Sequence, residues 1–289
     1  MNRPALTLIG TAMCWAAIWW PFRWLQSQGL SSALANTLAF AFGALIALAW
    51  SRGRVANFWR DPRLLVLALA SATCNLGYNA AATHAPVMKV VLLLYTAPLW
   101  TIPLAWWLLR ERPGLRGSLA LLLTVCGAAL MLWHPALGYP WPASGWEWLA
   151  LLAGLSLAVY NVLIRALPHG DEIERVALIF VVEFLLALAW VLGEGSGTIP
   201  ATAPLAMAAL AGIGMLGIIV AMQWALQRLQ ANLAAVLMST ELIFAAVFAW
   251  WWADEAMGLR EAAGAMLVAT AALVSAWQPA TPANSPTQA

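Results

Sequence analysis

Charged residues are scarce in this chain of 289 residues. Asp, Glu, Lys and Arg together make up 9% of it, and Lys89 is the one lysine. A soluble domain carries about 25% charged residues, because a surface that faces water needs ionic groups. The composition therefore excludes a soluble enzyme.

Motifs for catalysis and cofactor binding are also missing. The sequence contains no HExxH, GxSxG or P-loop pattern and no Asp-rich metal motif. Its three cysteines, Cys14, Cys74 and Cys126, lie in apolar segments without CxxC spacing, which predicts packing residues rather than disulfides. We expect no cofactor, no metal, no ATP-driven step within this chain and no nucleic-acid partner.

Long apolar runs are abundant instead. Hydrophobic residues make up 63% of the chain, and the mean hydropathy is +0.80. Because a membrane span needs about 20 apolar residues, the total suffices for about ten spans. Hydropathy divides the chain into segments 4–25, 32–51, 64–83, 87–109, 114–133, 145–165, 175–193, 204–226, 231–253 and 261–277. The sequence therefore predicts an all-α integral membrane protein with ten transmembrane helices, and residues 278–289 should form a disordered cytoplasmic tail.

Basic residues predict the orientation of these spans. If the N-terminus is cytoplasmic, eleven Lys and Arg residues lie inside and three lie outside. The three outside residues are Arg23, Lys89 and Arg260. Since cytoplasmic loops carry the excess of Lys and Arg, both termini should be cytoplasmic.

The chain contains an internal repeat. A shift of 144 residues aligns 105–117 with 249–261, and Glu111 and Arg116 then coincide with Glu255 and Arg260. Each half holds five predicted spans, so the second copy must enter the membrane upside down, as in the inverted repeats of secondary transporters. We expect a first repeat over 1–138 and an inverted second repeat over 139–277.

These features resemble a known family. In each half the fourth span runs into an acidic residue, over 98–111 and 241–255, and this pattern is similar to the EamA-type branch of the drug/metabolite transporter superfamily. The Trp-rich first span and the stretch 75–98 resemble the YddG-type aromatic amino-acid exporters within that branch. The resemblance implies a multi-pass bacterial inner-membrane exporter of amino acids and related small metabolites, which works by alternating access.

Polar and aromatic side chains within apolar spans are candidates for a substrate site, because such groups are costly to place in a membrane. In the first span, Trp15, Trp19 and Arg23 are four residues apart and share a helical face. They could form an aromatic wall that leads to a cationic gate at the outer mouth. Alternatively, both Trp residues pack in the core and Arg23 reaches to the interface.

The third span carries Asn75, Tyr78 and Asn79 on another stripe. Their amides and phenol could bind the ammonium and carboxylate of a substrate, or the Asn residues could bond neighbouring helices. His84, at the outer end, is either a gate or an interfacial residue.

The fourth span begins with Lys89, whose ammonium could attract a substrate carboxylate or extend to the interface. Pro98 and Pro103 each remove a backbone donor, which predicts a bend and a hinge at mid-membrane. Further substrate-site candidates in this span are Tyr95, Thr96 and Trp100.

The second half supplies the remaining candidates. Those for substrate binding are Ser156, Tyr160, Gln223, Trp224 and Glu241. Glu183 and Glu241 are the carboxylates that lie well inside spans, and each is either a proton carrier or a neutral structural residue. We favour Glu241 as the residue that binds a substrate amino group.

Together, these residues predict a central cavity formed by spans 1, 3, 4, 6, 8 and 9, with a small-molecule substrate and the lipid bilayer as partners. Spans 5 and 10 should brace the bundle or meet a second copy of the chain. An exporter of lipophilic cations is the alternative within the class. An integral-membrane enzyme or a channel is the alternative outside it.

The orientation leads to a labelling prediction. A cysteine placed in the 134–145 loop of a Cys-free variant should react with an impermeant thiol reagent added from the periplasm. A cysteine in the 52–63 loop should react only after lysis. Labelling of the first loop only after lysis would contradict the orientation and the inverted repeat together.

Overall fold

The computed structural model describes residues 3–85, 87–110, 114–132, 141–167, 172–195, 202–252 and 258–276. The predicted tail lies outside these residues. Thirteen α-helices are found in the described ranges: α1 (Arg3–Ala17), α2 (Trp19–Ser27), α3 (Ser32–Trp50), α4 (Arg63–His84), α5 (Val87–Leu94), α6 (Ala97–Leu109), α7 (Leu115–Leu132), α8 (Gly145–Ala166), α9 (Glu172–Glu194), α10 (Thr202–Leu226), α11 (Ala231–Met238), α12 (Glu241–Trp252) and α13 (Leu259–Ala276). The prediction of an all-helical chain is confirmed.

Seven stretches of the described residues are long and apolar enough to cross a membrane: Arg3–Ser27, Ser32–Trp50, Arg63–Ala81, Leu92–Leu109, Gly145–Ala166, Glu172–Glu194 and Thr202–Leu226. Two shorter apolar stretches, Gly117–Leu130 and Ala262–Ala271, fall within α7 and α13. Each coincides with a segment predicted from hydropathy. The count of ten spans stays a prediction.

Local sequence accounts for where several helices begin. The Ser31 hydroxyl accepts a hydrogen bond from the Leu34 amide at the start of α3. At α8, Ser144 accepts one from the Glu147 amide, and the Glu147 carboxylate accepts one from the Ala143 amide (2.6 Å). These contacts satisfy amides that have no partner within the helix.

Three predicted spans are interrupted: the first at Ile18, the fourth at Tyr95–Thr96 and the ninth at Ser239–Thr240. The break in the fourth span precedes both prolines. Pro98 lies in the first turn of α6, where proline is tolerated, and α6 continues through Pro103.

The two later breaks share one hydrogen-bonding pattern. The Thr96 hydroxyl donates to the Leu93 carbonyl (2.7 Å), and the Thr240 hydroxyl donates to the Leu237 carbonyl (2.6 Å). Both residues of the second pair lie 144 positions after their counterparts, the same shift that aligns the two halves. The second break forms without a proline, since Leu242 occupies the position of Pro98.

Helix packing also follows the repeat. Helix α7 lies against α13, and α3 lies against α9, so in each case a helix meets its own counterpart. The contact of α4 with α8 is matched by that of α10 with α1, and the contact of α4 with α9 by that of α10 with α3. The two halves therefore interlock.

Glycines allow the closest helix contacts. A Cβ atom on Gly127 of α7 would lie 2.8 Å from the Gly264 carbonyl oxygen of α13. One on Gly154 of α8 would lie 2.8 Å from the carbonyl oxygens of both Leu93 and Leu94. Gly154 thus lets α8 lie directly against the break between α5 and α6.

Ion pairs join three loops that the sequence predicts on one side of the membrane. Arg54 pairs with Glu174 (3.1 Å), and the Ala56 amide donates to the Glu174 carbonyl (3.0 Å). Arg228 approaches Glu172 at 4.0 Å. The loop after α3, the start of α9 and the end of α10 therefore meet at one face.

The Gly154 contact predicts a loss of stability. Gly154→Ala should lower the free energy of unfolding by about 1–3 kcal/mol, because the added methyl group meets backbone carbonyls that cannot move aside. Gly214→Ala is the matched control: nothing lies within 4 Å of a Cβ atom there. It should be neutral or stabilising by up to about 1 kcal/mol. Equal unfolding temperatures of the two variants in detergent would contradict this packing.

Candidate functional site

Four polar side chains meet beside the two later breaks. Cys74 and Tyr78 lie one turn apart on α4, Tyr95 lies in the break between α5 and α6, and Glu241 is the first residue of α12. Cys74, Tyr78 and Tyr95 are each close enough to Glu241 to interact with its charge. We call this group the Glu241 cluster.

The breaks position this cluster. Interrupting the fourth and ninth predicted spans brings a turn residue, Tyr95, close to the beginning of a helix at Glu241. Tyr95 also packs with Leu242, the residue after Glu241. A carboxylate in the first turn of a helix is favoured by the partial positive charge of that end. The helix break and the favourable charge at the start of α12 therefore both help to position Glu241.

Glu241 has the surroundings of a group that accepts a cation. Its side chain is half-buried, and the Tyr95 hydroxyl lies beside its carboxylate. Among the described residues, no Lys or Arg is placed to neutralise it. A carboxylate that has no basic partner among the described side chains and lies close to two tyrosines suits a ligand ammonium.

A second polar group surrounds Glu183 of α9, which is fully buried. Ser71 and Asn75 of α4 both donate hydrogen bonds to its Oε1 atom, at 2.6 Å and 2.7 Å. Asn75 was predicted to bind substrate. In the structure its side-chain amide donates a hydrogen bond to Glu183. The same α4 helix therefore carries residues of both polar groups.

Tyr160 of α8 and Gln223 of α10 complete the group around Glu183. The Tyr160 hydroxyl lies beside the Gln223 amide and close to Glu183. Both side chains are buried, and neither the hydroxyl nor the amide has a hydrogen bond among the described residues. We call Ser71, Asn75, Tyr160, Glu183 and Gln223 the Glu183 network. Ser156, one turn before Tyr160, is also buried.

Several predicted site residues have other partners. Asn79 donates to the Asn36 side chain of α3 (2.6 Å). Trp224 lies under the Arg228 guanidinium, 4.7 Å from ring centre to Cζ. Trp15 packs against the core around Phe40 and Phe180.

The remaining candidates belong to neither polar group, or their side chains lie outside the described part of the structure. Trp100 is exposed, and its indole donates to the Thr96 hydroxyl (3.2 Å). Pro98 is buried and Pro103 is exposed. Helical backbone is described at Trp19, Arg23, His84 and Lys89, but their side chains lie outside the described part.

Sequence reasoning missed Ser71, Cys74 and Asn36 as partners. Ser71 and Asn75 are four residues apart and share a face of α4, which was a signal for one shared partner. No sequence spacing indicates that this partner is Glu183, 108 residues beyond Asn75. Within the described residues, no three potential metal ligands lie together.

Comparison with known proteins agrees with this architecture. Residues 2–133 and 144–277 each match the EamA-like transporter family. A solved structure described only as "Crystal structure of protein" has a TM-score of 0.76 and 19% sequence identity to this chain, and covers 95% of this chain and 97% of that one. At that identity the likeness shows the fold alone. No curated protein matches the chain.

The family match of both halves and the apolar helices together indicate a multi-pass membrane transporter of small molecules. The chain belongs to the EamA-like transporter family. This places it within the drug/metabolite transporter superfamily, among transporters rather than enzymes.

The Asn36–Asn79 contact predicts measurable coupling between α3 and α4. Asn36→Ala and Asn79→Ala should each destabilise the fold, and the double variant should lose less than the sum of both. The difference should be about 0.6–1.7 kcal/mol, the range for hydrogen bonds between membrane helices. Unfolding in detergent measures it, with Asn57→Ala in an exposed loop as control. Strict additivity would show that the two amides do not interact.

Proposed function

We propose that this chain exports amino acids, aromatic ones included, across a bacterial inner membrane. The observation that carries the proposal is the Glu241 cluster. Its carboxylate has no basic partner among the described side chains, and two tyrosines lie beside it. The proposal agrees with the resemblance of the sequence to the YddG-type exporters.

The chemistry of the cluster matches an amino-acid substrate. Glu241 accepts the ammonium group in a charge-assisted hydrogen bond. Tyr78 and Tyr95 supply two aromatic side chains near this carboxylate, and such rings can contact an aromatic substrate or the cation itself. The substrate carboxylate requires a cationic or donor group, and Lys89 and Arg23 are the candidates that the sequence supplies.

Alternating access is the proposed mode of transport. The two halves act as inverted repeats, with substrate bound where their broken helices meet. The equivalent bonds at Thr96 and Thr240 and the paired helix contacts support this arrangement. The ion pairs of Arg54 and Arg228 support the view that three loops lie at one face of the protein. We assign this face, together with both termini, to the cytoplasm.

Export of lipophilic cations is the second candidate. An uncompensated carboxylate beside aromatic rings also suits a cation that has no carboxylate. Phenylalanine and phenethylamine separate the two possibilities, because they share a ring and an ammonium group and differ in the carboxylate. An amino-acid exporter should exchange phenylalanine in preference to the amine.

Replacement of Glu241 tests the proposal. Glu241→Gln keeps the shape and removes the charge, so it should raise the KM for phenylalanine about 10- to 100-fold in counterflow assays with proteoliposomes. This corresponds to the loss of one hydrogen bond to a charged group, about 1.5–3 kcal/mol.

Glu194→Gln provides the matched control, because Glu194 lies at the exposed end of α9. This variant should transport like the parent chain. An unchanged KM in Glu241→Gln would make Glu241 a structural residue and would remove the main support for the proposal.

A further inference from the structure

We propose that Glu183 is a proton-binding site that couples proton entry to substrate export, because its buried carboxyl group lies between the Glu241 cluster and a polar route to the protein surface. This inference rests on the proposed transport function and adds its driving ion. In each cycle one proton from the outer side would bind Glu183 Oε2 as an O–H group and would leave on the inner side.

The two oxygens of Glu183 differ in their surroundings. Oε1 accepts hydrogen bonds from both Ser71 and Asn75. Oε2 is buried without a hydrogen-bond partner among the described residues. One oxygen with two donors and one with none is the arrangement of a carboxylic acid whose carbonyl accepts and whose hydroxyl carries the proton.

Among the described side chains, no basic group on the neighbouring helices interacts directly with Glu183. Helices α3 and α10, which pack against α9, contain no titratable residue. Helix α4 contributes the Cys74 thiol and α8 contributes the Tyr160 phenol, both neutral groups. On α9 itself, Arg175 lies eight residues away, about 12 Å along the helix axis. Its guanidinium is close enough to interact with Tyr160 of the network, but it is not among the groups that act on Glu183. An ionised carboxylate in this place would be costly, so the acid form fits the closed packing.

A polar route leads from this site to the surface. Gln223 and Gln227 lie one turn apart on and just after α10. With its amide oriented to satisfy both neighbours, Gln227 donates to Glu172 (2.8 Å) and accepts from Arg175 (2.5 Å). Glu172 in turn faces Arg228 at the proposed cytoplasmic face. Water that enters along this line would reach Oε2 and take its proton.

Helix α4 connects the proton site to the substrate site. Ser71 and Asn75 bind Glu183, Tyr78 lies in the Glu241 cluster, and Cys74 lies close to both carboxylates. A shift of α4 that opens the Glu183 network to water therefore also moves one wall of the substrate site. This shared helix gives the two events a physical link.

Proteoliposomes test the coupling. With the membrane potential clamped by potassium and valinomycin, vesicles one pH unit more acidic inside should accumulate phenylalanine up to about tenfold for one-to-one exchange. Glu183→Gln resembles the protonated acid and keeps an acceptor for Ser71 and Asn75. It should retain counterflow and lose the gradient-driven accumulation, whereas Glu194→Gln should retain both.

Infrared spectroscopy tests proton binding without transport. The parent chain at neutral pH should show the C=O stretch of a protonated carboxylic acid that Glu183→Gln lacks and that Glu241→Gln and Glu194→Gln retain. If Glu183→Gln does not fold, the band in Glu241→Gln and its loss at alkaline pH serve as the measurement, because Glu183 is then the carboxyl group that remains well inside a predicted span.

Three results would overturn the inference: gradient-driven accumulation in Glu183→Gln, a parent chain that performs counterflow but ignores the pH gradient, or no protonated-acid band at neutral pH. The second result leaves the proposed function intact. Failure of the proposed function would appear instead as absence of amino-acid counterflow in the parent chain, and the infrared band would then decide the proton site alone.

Discussion

Backbone hydrogen bonding within the bilayer is the constraint on which the rest of this structure depends. Hydrocarbon offers no partner to a freed carbonyl, so an interrupted membrane helix needs donors from the protein itself. At both later breaks one threonine supplies two donors to one carbonyl. Thr96 donates its amide and its hydroxyl to Leu93, and Thr240 donates both to Leu237. Gly154 then allows α8 to close over the first break. With these carbonyls covered, Tyr95 and Glu241 can lie side by side.

The cost of placing polar groups in hydrocarbon also applies to the two carboxyl groups within the predicted spans, and their environments differ. Glu183 is enclosed completely and receives two donors from α4. Glu241 remains half-buried at a helix N-terminus, where the helix end favours a negative charge. A fully enclosed acid with two donors suits the binding of a proton, whereas a half-buried carboxylate at a helix N-terminus suits the binding of a larger cation. Their environments therefore separate their proposed tasks.

Sequence patterns predicted the helices, the repeat and the family well, because each depends on composition or on spacing along the chain. The individual partners could not be predicted. Asn75 bonds to Glu183 and Asn79 bonds to Asn36, as the alternative of hydrogen bonds to neighbouring helices allowed without naming the partners. Such pairings join distant segments, and one sequence gives no signal for them. The break at Thr240 was equally hidden, since no proline marks it.

The repeat explains why the two halves differ at their most sensitive position. Ala97 follows the break in the first half, and Glu241 follows it in the second. Both copies break their helix there, and in both a threonine hydroxyl donates to the carbonyl three residues before it. A carboxylate in both copies would instead bring two like charges together where the halves meet, which disfavours ionisation of either. The helix break and its threonine hydrogen bond therefore occur in both halves, whereas the carboxylate at this position occurs in the second half alone.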